Sequence, residues 1–198
     1  MKLSCPRATA PFFPLTRAIS GPEFFFNLVA ILIFLLIGVP ALLWLRPGFM
    51  EEGSMTHSLL FCAILIAYII GHELTHGLAY RLMTRHRITF GISAASATCG
   101  VPDIFVYRKA ALIALLSPFL LFTAIFLIPC FLCTGVLDRF YAFLLLALHL
   151  GGCAGDLYNV FLYLVWFRSP DTLMLDTGPR QTFYVRPGAE KKEQRMVL

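Results

Sequence analysis

The chain has 198 residues, of which 59% are apolar, 14% aromatic and only 14% charged. A water-soluble domain carries about 25% charged residues, so this composition excludes an ordinary soluble enzyme. The net charge of +5 does not argue for nucleic acid, because the basic residues are split among the segments between apolar stretches instead of forming one patch.

Residues 1–22 hold Lys2, Arg7 and Arg17, no acid, and four prolines, Pro6, Pro11, Pro14 and Pro22. A secretory signal needs an unbroken apolar core of about 7–15 residues after its basic start, and the prolines interrupt any such run. The segment reads as a short basic cytosolic arm. Four apolar stretches follow, at 24–45, 58–80, 110–134 and 140–167, each long enough to cross a hydrocarbon core of about 30 Å as a helix. Gly38 and Pro40 lie in the first, Pro118 and Pro129 in the third; membrane helices tolerate such breakers. Pro118, after Ser117, predicts a kink.

Lys and Arg set the orientation. Arg46 and Arg139 lie between the first two and the last two stretches; the other fourteen basic residues lie in the arm, in the loop at 81–109 and in the tail after Phe167. Both termini are therefore expected in the cytosol. The loop after the second span is too apolar to be simply solvated. Ile88-Thr89-Phe90-Gly91-Ile92-Ser93 alternates with period two, as a half-buried strand does, and the small residues 94–100 return. A β-hairpin-like insert is expected over 86–103. In the tail, Leu173-Met174-Leu175 and Thr182-Phe183-Tyr184-Val185 flank a turn signal at Asp176-Thr177-Gly178-Pro179 and suggest a second small hairpin; the charged residues after Pro187 read as disordered. The fold class is an all-α integral membrane protein with four transmembrane helices, the hairpin-like insert and a short polar tail. Its parts are an arm at 1–22, a transmembrane domain at 23–168 and a tail at 169–198.

The second span contains His72-Glu73-Leu74-Thr75-His76. On a helix the two histidines share a face, one turn apart, and two ring nitrogens at that spacing can reach one tetrahedral Zn2+ while Glu73 handles protons beside it. Insertion scales charge roughly 2.5–3.5 kcal/mol for an ionised residue at mid-membrane, so polar groups at that depth usually serve a function. The plain alternative is a pair of buried, hydrogen-bonded histidines. Five histidines in the chain limit it to a single ion. Six scattered cysteines, including the lone Cys130-x-x-Cys133, do not read as a disulfide framework.

A catalytic zinc usually has three protein ligands and an open position. Of the 11 acidic residues, only Glu73 and Asp156 lie deep in apolar stretches, and no Lys or Arg is there to pair with either. Counted at about 1.5 Å per residue from the outer ends of their spans, His72 and Asp156 fall within roughly 3 Å of one level. Gly151-x-x-x-Gly155 before Asp156 is a small-residue pattern that allows close helix approach; the plain alternative makes it a packing seam with Asp156 hydrogen-bonded across it. Asp156 is the expected third ligand and Asp103 the reserve. His149, two turns from Asp156, is too far along the helix to share the ion. Asn159, one turn beyond Asp156, is a candidate to orient a ligand or hold substrate backbone.

With these residues in hand, the chain resembles the small four-span membrane zincin peptidases of bacteria. The likeness rests on His72-Glu73-x-x-His76, the hairpin-like insert, Leu115-Leu116-Ser117-Pro118 and Ala154-Gly155-Asp156. That family is similar in turn to the site-2 proteases, although the Asn-Pro-Asp-Gly ligand signature is replaced here by Ala154-Gly155-Asp156-Leu157. The resemblance implies zinc-dependent hydrolysis of peptide bonds in membrane-spanning or membrane-associated proteins within a bacterial cytoplasmic membrane. It implies metal ligands His72, His76 and Asp156, with Glu73 as general base. A substrate held extended against the edge strand, at Ile88, Phe90 and Ile92, would bind by β-addition. The implied partners are the lipid bilayer and a membrane-protein or peptide substrate, with no nucleic acid. The competing classes are a non-catalytic membrane scaffold with a structural metal site and a metal carrier. A scaffold does not need Glu73; a protease does.

Overall fold

The structure is a computed structural model that describes residues 5–9, 13–14, 23–47, 54–92, 97–178 and 180–185. The expected disorder after Pro187, the outer loop with Glu51 and Glu52, and most of the basic arm lie outside the described residues.

Helices dominate. α1 (Glu23–Leu45), α2 (Ser54–Thr84) and α3 (Arg108–Leu132) are each long and apolar enough to cross a membrane. α4 (Val136–Gly152) and α5 (Ala154–Val165) qualify only when taken together as one interrupted span. Among the described residues the candidate spans therefore number three, or four with the broken one. Large apolar side chains cover the outer faces: Leu36 and Leu132 are each 74% exposed and Leu59 is 64% exposed. A helix apolar on all sides suits lipid, not water. The fourth stretch departs from the single helix expected over 140–167. It breaks at Cys153, whose N–H still reaches the His149 carbonyl at 3.0 Å. Gly151, Gly152 and Gly155 crowd the break, and each glycine costs a helix about 1 kcal/mol relative to alanine.

The chain divides into two compact units, Gly21–Gly71 with Pro118–Gly155, and Met1–Ser20 with His72–Ser117 and Asp156–Leu198. In the first of these, α1 packs on α4. A Cβ on Gly151 would lie 3.1 Å from the Ala30 backbone, so the small residue there serves the α1 contact. The starts of α2 and α4 are tied by Ser58 Oγ with Tyr141 Oη at 2.7 Å and by His57 with Asp138 at 3.3 Å. Its core is Tyr68, Phe126, Cys130, Ala142, Leu145 and Leu146. Fully buried His149 has its Nδ1 3.0 Å from Tyr68 Oη, and its Nε2 3.1 Å from Thr123 Oγ1 and 3.2 Å from the Phe119 carbonyl. Both ring nitrogens are satisfied, as a buried imidazole requires.

The other unit contains more β-structure than the sequence suggested. β2 (Thr89–Ile92) pairs antiparallel with β3 (Ala97–Gly100). A separate four-stranded antiparallel sheet runs in the order β1 (Phe13–Pro14), β6 (Gln181–Val185), β5 (Leu173–Asp176), β4 (Val106–Tyr107). The tail hairpin is thus the centre of a sheet, with the arm and the end of the insert as its edges. Strands of two residues carry no readable alternation, which is why β1 and β4 escape a sequence reading. Ala110, Ala111 and Ala114 are fully buried at the start of α3 and let Tyr80, Val106 and Tyr163 pack close. Arg108 donates to the Tyr163 carbonyl through Nε (3.3 Å) and Nη2 (3.0 Å). This places a cation at the C-terminal end of α5, where the helix dipole favours it. All six cysteines are free; burial pushes the Cys99 thiol up to about 12, so it is not a ready nucleophile.

The end of β5 buries a carboxylate. Asp176 is 1% exposed. Its Oδ2 accepts from Tyr80 Oη at 2.6 Å and from Gln181 Nε2 at 3.3 Å, and its Oδ1 accepts from the Gly178 N–H at 2.9 Å. Burial nevertheless raises its pKa from 3.8 to about 6, because the donors offset only part of the desolvation. The folded chain therefore keeps this proton where the unfolded chain has released it, and stability falls as pH rises from about 4 to about 6. Two pKa units correspond to at most about 3 kcal/mol. Asp176→Asn should remove this slope. In detergent, wild type minus variant stability should be greatest near about pH 4 and shrink towards about pH 6. Parallel melting curves across that window would rule the titration out.

Candidate metal centre

His72, Glu73 and His76 lie in the second half of α2, where helical spacing stacks the two imidazoles with ring centroids 4.9 Å apart. Asp156 is in the first turn of α5. The helix break before it places its carboxylate at a helix N-terminus, where unpaired N–H groups and the dipole favour negative charge. Three atoms converge: His72 Nε2 and His76 Nε2 are 3.2 Å apart, and Asp156 Oδ2 is 3.4 Å from the first and 3.3 Å from the second. Both histidines are buried, at 8% and 6% exposure.

This triangle fits zinc. A tetrahedral ion with bonds of about 2.0–2.1 Å spans about 3.3–3.4 Å between any two ligands, and the edges here are 3.2, 3.3 and 3.4 Å. The donor set, two imidazoles and one carboxylate, is a catalytic zinc set with one position left over. The other nitrogen of His76 is already committed: Nδ1 lies 2.9 Å from the Ala114 carbonyl. Donation there leaves the Nε2 lone pair facing the other two ligands, the usual arrangement for a metal-binding histidine. Pro118 explains why that carbonyl is available. In α3 the residue four beyond Ala114 would normally donate to it, and proline has no N–H. Helix α3 runs through Pro118, and its role is legible only once His76 is seen to use the freed acceptor.

Glu73 is half-buried, with a carboxylate oxygen within 4.8 Å of the histidine nitrogens. The Cys99 backbone N–H lies near that carboxylate. The hairpin approaches α2 at Gly77, where a Cβ would meet Cys99 Sγ at 2.9 Å and Ile88 Cδ1 and Phe90 Cζ at 3.0 Å. Ile88 and Phe90 thus lie next to the helical turn that carries His76. For Ile92 the backbone pairing with Ala97 is described. Asn159 Nδ2 donates to Gln181 Oε1, which ties it to the tail hairpin. Asp103 is exposed in a turn, with its carbonyl accepting from the Ala8 N–H at 3.0 Å. Of Asp103 and Asp156, Asp156 is the one whose carboxylate meets the two histidines.

Long apolar helices carrying His-Glu-x-x-His, with an aspartate from a later helix at the same point, define a zincin-type site in a chain suited to a membrane. Residues 64–170, more than half of the chain, match the family described as "Putative zincin peptidase", and the protein belongs to that family. The matched region includes His72, Glu73, His76 and Asp156. No curated protein and no solved structure matches the chain.

Proposed function

We propose that this protein is a zinc-dependent intramembrane peptidase that hydrolyses peptide bonds of membrane-spanning or membrane-associated proteins. The observation that carries the reading is the three-atom triangle of His72, His76 and Asp156 with Glu73 beside it. Zinc held there would act as a Lewis acid, polarising a carbonyl and making water nucleophilic near neutral pH. Glu73 is placed to take a proton from the attacking water and to return it to the departing amine. Substrate must be extended before its backbone can be attacked, and the hairpin offers an edge for it. Just beyond β3 the Val101 N–H donates to the Asp176 carbonyl of the tail at 2.8 Å. The outer edge of β2 has no strand partner among the described residues, so Ile88, Phe90 and Ile92 are the proposed substrate contacts.

Metal analysis of purified protein tests the reading. Wild type should carry one zinc per chain; His72→Ala, His76→Ala and Asp156→Ala should each lose most of it, and Asp103→Ala should not. An Asp156→Ala protein with full zinc content would remove Asp156 from the site.

The charge distribution supports an orientation with both termini in the cytosol and Glu51 outside. Single cysteines introduced near Glu51 should react with an impermeant reagent on intact cells, and those near Arg85 or Lys191 should not. The reverse pattern would invert the topology.

A further inference from the structure

We propose that the tail hairpin of β5 and β6 is a positioning device for the metal site, in which Tyr80, Asp176, Gln181 and Asn159 form a hydrogen-bonded relay that holds the two ligand-bearing helices in phase. The inference rests on the metal reading above and adds a control on it from outside the apolar stretches.

Each end of the relay is one helical turn from a ligand. Tyr80 follows His76 by four residues on α2, and Asn159 follows Asp156 by three on α5. Between them, Asp176 and Gln181 are the cross-strand partners next to the turn of the hairpin. Tyr80 Oη donates to Asp176 Oδ2, Gln181 Nε2 donates to the same oxygen, and Asn159 Nδ2 donates to Gln181 Oε1. The backbone of Asp176 adds a third connection. Its carbonyl accepts from the Val101 N–H, and Val101 is two residues from Cys99, whose N–H lies near Glu73. One residue of the polar tail is therefore connected to the surroundings of His76, Asp156 and Glu73.

The geometry makes such a brace useful. A tetrahedral site tolerates ligand displacements of only a few tenths of an ångström, whereas one residue of helix advances about 1.5 Å and turns about 100°. A slight rotation of either helix would open the triangle. Tyr80 is fully buried and Asp176 nearly so, so the bond between them is shielded from water, and breaking it leaves a group unsatisfied. The fold supplies its own control in Tyr163, which is fully buried in the same core and whose hydroxyl has no hydrogen-bond partner among the described residues.

The test is zinc affinity, measured on the full chain in detergent by chelator competition, with cobalt absorption reporting the symmetry of the site. Tyr80→Phe and Gln181→Leu should weaken zinc binding about 10–100-fold, the usual effect of losing an outer-shell partner, and should alter the cobalt spectrum while helical circular dichroism is unchanged. Asp176→Asn, which keeps an acceptor for Tyr80, should bind more tightly than Asp176→Ala. Tyr163→Phe should match wild type in both measurements. Gln181 is half-buried, so its variant carries the test if Tyr80→Phe does not fold. Wild-type affinity in both relay variants, or equal weakening in Tyr163→Phe, would overturn the positioning role. Wild type that binds no more zinc than His72→Ala would overturn the metal reading and this inference with it.

Discussion

Glu73→Gln should keep its zinc and its fold while cleavage of a membrane-spanning substrate falls by about 10²–10⁴-fold, the contribution of general acid–base catalysis. The variant preserves size, and the hairpin approaches the helix at Gly77 through the side chains of Cys99, Ile88 and Phe90, so that contact survives. The three converging atoms belong to other residues, and metal content should stay close to wild type. What the amide cannot do is accept the proton of the attacking water. The measurement is a paired one, zinc per chain and cleavage rate on the same preparation. A non-catalytic scaffold predicts a different result, since it would use the metal site without a base. A Glu73→Gln protein that fully complements a deletion strain would end the peptidase hypothesis.

Gly100→Ala should be among the most damaging single changes to stability. A Cβ at Gly100 would lie 2.3 Å from the Gly178 nitrogen, 2.7 Å from the Thr177 carbonyl carbon and 2.8 Å from the Asp176 oxygen. All three are backbone atoms, so no side chain can rotate away. Either β3 moves off the tail turn and gives up the bond from Val101 N–H to the Asp176 carbonyl, or the turn itself is displaced. Overpacking of this kind typically costs about 1–3 kcal/mol, and more where the obstruction is rigid. The expected result is a large drop in thermal midpoint, with loss of zinc binding as β3 separates from the relay. Gly155→Ala is the control: a Cβ there meets nothing within 4 Å and should be tolerated. Equal melting temperatures for Gly100→Ala and wild type would show that β3 and the tail turn do not pack as described.

That contrast between two glycines marks where sequence reading runs out. The pattern Gly151-x-x-x-Gly155 suggested one continuous seam for close helix approach. In the structure Gly151 lies against Ala30 of α1, while Gly155 belongs to the break that starts α5. Composition identifies a glycine; only neighbouring atoms show whether it makes room, turns the chain or ends a helix. Gly100 carried no signal at all, because its constraint comes from residues 176–178.

The features legible in the sequence were local ones. Apolar runs set by the thickness of a bilayer predicted α1 and α3 within a few residues and α2 to within a turn, because hydropathy is a property of the stretch itself. The pairing of His72 with His76 follows from the helical period and needs no other part of the chain. Choosing Asp156 over the other acids also began locally, since few carboxylates occur in apolar surroundings. Tertiary structure alone decided the remainder. Asp156 meets His72 from 84 positions away and Tyr80 meets Asp176 from 96. The Ala114 carbonyl acquires meaning through Pro118 and His76 together, and a four-stranded sheet is assembled from pieces of two to five residues. Contacts of that kind are made between segments, each too short or too polar to announce its partner. They leave no period in the sequence because their free energy comes from shielding polar groups that only the folded chain brings together.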